Sequence, residues 1–339
     1  MKKLSKYKED ILLQDLHQMK KEHILPKKYI AILQDFYISY MEKIPEDYKR
    51  RKRHVYLFHN FFEILKKLAR HPFIFEPYHK KIRKPFDYYA YGLDFLRPLV
   101  IKDKSKILGK ERFAEIVSYL SKGENVILLS NHQTESDPHA ISLLLEDDFA
   151  ELAEKIIYVA GERVTTDLLA IPFSLGCDLF CIYSKKYIEH PPEKKIEKQH
   201  HNAKTMHIMA SLLKEGGKII YVAPSGGRDR RNSKGEIEIA RFDPQSLEIF
   251  NLMARRSRKK THFFPLALET YNLMPPPETR VIEMGEHRVI NRCPISMAIN
   301  EEIDMEKFPG SDVKDKKAKK INRAHYIQSI VENDYKKLI

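Results

Sequence analysis

The chain has 339 residues, 42% of them hydrophobic, with 60 lysines and arginines against 47 acids, a formal charge of +13 and a pI near 9.3. Large apolar residues occur throughout, which excludes a disordered chain, and no uninterrupted apolar run approaches the ~18–20 residues that span a bilayer. The charge favours an acidic partner without choosing among nucleic acid, anionic lipid, phosphorylated metabolites and acidic protein. Three scattered cysteines, Cys177, Cys181 and Cys293, argue against a disulfide framework and for a reducing compartment.

Residues 4–70 read as helical, with ILLQDLHQM, YIAILQDFYISYM and VYLFHNFFEILKKLA near a 3.6-residue period and Pro26, Pro45 and Pro72 between and after them. The expectation is a small helical bundle over residues 1–78. The stretch HPFIFEPYHKKIRKPFDYY reads as a connection. The start, MKKLSKYKEDILLQDL, has no signal-peptide core and carries early acids. That leads us to expect a bacterial cytoplasmic protein or a mature stromal one.

From about residue 88, helices alternate with short apolar strands. FAEIVSYLSKG predicts a helix ending at Gly123, NVILLSN a strand, HAISLLLEDDFAELAEK one helix, IIYVAG and LFCIYS strands. AKTMHIMASLLKEGG predicts a helix, KIIYVAP a strand, SLEIFNLMARRSRKK a helix and HFFPLALE a strand. The fold class expected for residues 79–339 is α/β: a mostly parallel mixed sheet covered by helices, with ligands at the strands' carboxyl ends. The basic run KDKKAKK at 314–320 reads as solvated surface, with a lipid-facing patch as the weaker reading.

Two clusters fall at that edge. In SNHQTESDPHA the strand delivers His132, and Asp137–Pro138 opens a helix with Asp137 as its cap. If the turn folds back, Asp137 fixes the proton on one imidazole nitrogen and leaves the other as a base. His139 suggests a metal, but no cysteine or glutamate completes a ligand set, so no metal is expected. His200, His201 and His207 read as helix surface. The second cluster, PSGGRDR, places Arg228 and Arg230 around Asp229, a pattern suited to a phosphate that Asp229 would help them hold. It is neither a Walker loop nor a hydrolase elbow. Ser184-Lys185-Lys186 ends another strand. A base and a phosphate clamp, with no protein nucleophile beside them, suit a substrate carrying both a phosphate and a hydroxyl. Cys177 and Cys181 read as core residues.

The segments NHQTESDP, GERVTTDLLAIPFSLG, IYSKK, VAPSGGRDR and RFDP, in this order from Tyr88 to Leu268, closely resemble the soluble, plastid-type glycerol-3-phosphate acyltransferases. The resemblance implies acyl transfer from acyl-acyl carrier protein or acyl-CoA to the sn-1 hydroxyl of glycerol 3-phosphate, with no further cofactor. It places His132 and Asp137 on the catalytic pair, and Lys186, Arg228 and Arg230 on phosphate-binding positions. Tyr187 stands where plant members carry histidine; its hydroxyl keeps a hydrogen bond but not a charge. Amides at the start of the helix after Asp137 are one candidate for the oxyanion donors. The basic surface would suit an acidic carrier protein or an anionic membrane, and the N-terminal bundle is expected to shape the donor site. The rivals are a lysophosphatidate acyltransferase, which usually carries a membrane-inserting apolar segment, a non-catalytic lipid or carrier-protein scaffold, and a nucleic-acid module. No nucleic-acid reader motif occurs.

Overall fold

The computed structural model describes residues 11–50, 52–184, 188–277 and 285–339. Helices Ile11–Lys21, Lys27–Lys43, Glu46–Arg50 and Arg53–Arg70 form the N-terminal bundle. Ten strands follow among the described residues: β1 Tyr78–His79, β2 Lys106–Leu108, β3 Asn125–Ser130, β4 Ile156–Gly161, β5 Asp178–Ile182, β6 Ile219–Val222, β7 Arg230–Arg231, β8 Ile237–Glu238, β9 Thr261–Glu269 and β10 Ser296–Ile299. Eight of them make one sheet in the order β1-β5-β4-β6-β3-β9-β10-β2; β7 and β8 form a separate ribbon. The pairs β5/β4, β4/β6, β6/β3 and β3/β9 are parallel, and antiparallel pairing enters at β1/β5 and β9/β10.

All six residues of β3 are buried. Val126 and Leu128 enter one hydrophobic core, Ile127 and Leu129 the other. A strand covered on both faces needs apolar residues at every position, which explains the continuous run in the sequence. One core includes the N-terminal bundle; the other is formed with helices Lys195–Glu215, Pro244–Ser257 and Lys316–Leu338. Aromatic side chains tie the bundle to helices Tyr88–Leu96 and Ile171–Ser174: Phe36 stacks on Phe95 at 6.0 Å and Phe61 meets Phe173 at 5.6 Å. The Tyr40 hydroxyl donates to the Phe95 carbonyl at 2.9 Å, and the Tyr91 hydroxyl to the Leu57 carbonyl at 3.0 Å.

Several expectations change. The segment read as one helix from His139 is two, Asp137–Leu145 and Ala150–Lys155. The break falls at Glu146-Asp147-Asp148, where Glu146 turns to Arg97 and Lys102, Asp147 to Lys102 and Asp148 to Lys110. Aspartate favours helix interiors weakly, and these carboxylates have better partners outside. The segment read as a connection contains the edge strand β1. The basic run at 314–320 opens a 23-residue helix, Lys316–Leu338.

Candidate functional site

Parallel pairing sends the ends of β3, β4, β5, β6 and β9 to one edge, and the site is built there. Asn131 continues β3 with its side chain. Its Oδ1 accepts from the Leu268 amide at 2.8 Å, while its Nδ2 donates to the Leu268 carbonyl at 3.0 Å and to Asp229 Oδ2 at 2.8 Å. Gln133 Oε1 accepts from the amides of Thr270 and Tyr271 at 2.7 and 2.8 Å. Its Nε2 donates to Asp229 Oδ2 at 3.2 Å. The residues on both sides of His132 are thus anchored to β9 and to the loop after β6.

His132 Nδ1 lies 2.7 Å from Asp137 Oδ2. The same oxygen accepts from the Gln133 amide at 2.9 Å; Oδ1 accepts from the Thr134 amide at 3.2 Å and the Thr270 hydroxyl at 2.6 Å. With donors at every other contact, the carboxylate is an acceptor and His132 Nδ1 carries the proton. Nε2 then holds a lone pair. Asp137 is 1% exposed, whereas the His132 side chain keeps 29% of its surface open. Asp137 is not the helix cap: Ser136 precedes the helix, Asp137 is its first residue, and the carboxylate turns back into the loop. The capping expectation is replaced because three upstream donors and Thr270 claim both oxygens.

Asp229 also departs from expectation. It is buried, accepts from Asn131, Gln133 and, through Oδ1, the Ala240 amide at 2.9 Å, and does not orient the arginines. Burial pushes its carboxyl up to about 6. Arg228 Nη2 instead donates to both oxygens of Glu286 at 2.8 Å, and its Nη1 stands 3.9 Å from Glu135 in the His132 turn. Arg163 also donates to Glu286, at 2.6 Å, and Arg288 bridges Glu135 and Asp167 at 2.8 and 3.1 Å. Three arginines and three acids alternate in this largely buried cluster. Arg230, on β7, donates to the Pro277 carbonyl and borders a cleft with Arg228, Arg241 and His325. Lys186 and Tyr187 lie outside the described residues.

The oxyanion expectation is weakened by the same turn. The amides of Ser136, Asp137 and Ala140 already donate within it, and Pro138 has no N–H. His139 lies inside the helix, its ring against Gly92 and edge-on to Phe173 at 6.0 Å. Cys177 and Cys181 are buried, as read.

His132 and Asp137 border a cavity of about 140 Å³. Its walls are mostly apolar and include Ala160 of β4, Phe95 and Phe173 of helices Tyr88–Leu96 and Ile171–Ser174, and Ile32, Leu33, Phe36 and Phe61 of the bundle. Sequence reasoning missed Thr270, Glu135, Asp167, Glu286 and Arg288. Thr270 carried a signal, since it follows an apolar strand at the functional edge; the others show their purpose only once distant segments meet.

A family model described as Acyltransferase matches residues 106–269. The chain is 44% identical over 236 residues to a chloroplastic glycerol-3-phosphate acyltransferase of Cucurbita moschata, covering 69% of this chain and 53% of that one. The chloroplastic enzyme of Spinacia oleracea is 42% identical, with 69% and 50% covered. That of Carthamus tinctorius is 34% identical over 334 residues, covering 96% of this chain and 70% of its own. The chain spans about half the length of the first two relatives.

Proposed function

The chain belongs to the plastid-type glycerol-3-phosphate acyltransferases, and from that premise we propose that it transfers a fatty acyl group from a thioester donor to the sn-1 hydroxyl of glycerol 3-phosphate. The observation that carries this reading is the 2.7 Å His132–Asp137 pair at the wall of an apolar cavity. His132 Nε2 takes the hydroxyl proton as the substrate oxygen attacks the thioester carbonyl. Collapse of the tetrahedral species breaks the C–S bond, and the thiolate recovers the proton from His132. The products are 1-acyl-glycerol 3-phosphate and a thiol. The step balances without metal, cofactor or acyl-enzyme. Asp137 orients the ring and stabilises the imidazolium.

In this reading Arg228, Arg230, Lys186 and Tyr187 receive the phosphate, and the buried acids around Arg228 hold its guanidinium in place. The cavity takes the acyl chain. Four bundle residues among its walls support a donor-shaping role for residues 1–78 beside a catalytic unit at 79–339. Acyl-acyl carrier protein or acyl-CoA is the donor. The relatives are named chloroplastic, which favours the stroma over a bacterial cytoplasm. Among the described residues no helix is long and apolar enough to cross a membrane.

The test is a choice of acceptors with one acyl donor. Glycerol 3-phosphate should give a monoacyl phosphate, and lysophosphatidate should give no diacyl product. Transfer to lysophosphatidate alone would replace this reading with its rival, a second-acylation enzyme.

A further inference from the structure

Two basic runs take no part in the site: residues 255–260, which read RRSRKK, and 314–320. The fold brings them onto one face. Glu248, on helix Pro244–Ser257, meets Lys320 at 3.5 Å and Arg323 at 2.6 Å. Glu306 meets Arg255 at 3.6 Å and Lys319 at 3.5 Å. Helix Pro244–Ser257 buries Leu247, Phe250 and Ala254. Its opposite stripe would ordinarily be polar. It carries Ile249 and Leu252 instead, 45% and 37% exposed, followed by the exposed Arg256. Lys316 and Lys317 are exposed one helical turn before Lys320, on the same side.

We propose that this face docks on an anionic lipid bilayer. Cations around outward aliphatic side chains suit a charged interface: the cations meet headgroups while Ile249 and Leu252 enter the acyl boundary. A thioester-bearing acidic protein suits the face less well because of where it lies. The run at 255–260 ends where β9 begins at Thr261, whereas the His132 turn stands beyond the strand's other end. Nine strand residues separate the two by roughly 30 Å. A protein delivering a thioester to His132 must therefore engage the opposite edge. Docking here leaves the His132 edge open to water-soluble reactants, and the inference does not depend on the proposed reaction.

The test is sedimentation of the full chain with vesicles of phosphatidylcholine alone or mixed with phosphatidylglycerol. The wild type should bind only the mixed vesicles. A triple variant, Arg256→Glu, Lys316→Glu and Lys317→Glu, should bind on the order of 100-fold more weakly. Ile249→Ser with Leu252→Ser should also weaken binding, with a deficit that persists in high salt. Wild-type melting of both variants establishes that they fold; Gln replacements serve if the Glu variant does not. Equal binding to both vesicle types, or anionic binding unchanged in either variant, overturns the proposal. So does loss of affinity for an acidic carrier protein in the triple variant when the wild type ignores vesicles.

Discussion

His139 shows how one side chain reports on the site's surroundings. It is 3% exposed, its Nε2 has no hydrogen-bond partner among the described residues, and burial pulls its imidazole down to about 4 from the ordinary 6.5. The folded-state value lies below the unfolded one. The neutral ring's contribution to stability is therefore full above about pH 6.5 and is lost as the pH falls towards 4. Wild type should lose about 2 kcal/mol more than His139→Leu between pH 7.5 and pH 5, read from urea unfolding at the two pH values. Parallel losses would mean that the ring reaches solvent. At this scale the His132–Asp137 contact was legible because it is local: five residues, one turn, one carboxylate. Asp229 was misread because adjacency to Arg228 and Arg230 suggested a partnership. Burial instead turned it toward Asn131 and Gln133, nearly 100 residues away in the chain.

Among the elements, helices Tyr88–Leu96 and Asp137–Leu145 meet at Gly92. A Cβ built there would lie 2.3 Å from His139 Nε2. Helix propensity alone favours alanine at such a position, so packing and propensity oppose each other. Gly92→Ala should destabilise the protein by about 1–3 kcal/mol despite its better propensity. Adding His139→Ala should restore part of that loss, a coupling read from the thermal melts of the two single variants and the double. A Gly92→Ala protein that melts at or above the wild-type temperature would contradict the close approach. The long parallel strands were legible from unbroken apolar runs. The two-residue β1 and three-residue β2 were not, because such short edge strands carry almost no period. The last helix was legible and missed: Ala324, Ile327, Val331, Tyr335 and Leu338 recur at helical spacing, but the basic run before them drew attention to charge.

Across the whole molecule, parallel topology does the assembling. It gathers distant segments at one edge, so that Thr270 closes the hydrogen bonding of Asp137 from 133 residues away and Glu286 receives Arg228 from 58. The bundle is packed into the same core and supplies part of the cavity wall. The alternating charges of Arg163, Arg228, Arg288, Glu135, Asp167 and Glu286 were invisible in the sequence because each ion pair joins segments more than 50 residues apart. The apolar cavity lining was likewise unreadable, since its residues come from segments far apart in the chain. The central claim is direct acyl transfer with His132 as base. It is tested by thiol release from palmitoyl-acyl carrier protein, with and without glycerol 3-phosphate, in wild type and His132→Ala. The account predicts release that requires glycerol 3-phosphate and falls by a factor of about 100 or more in a folded His132→Ala protein. Release without acceptor, or undiminished release from the variant, would contradict it.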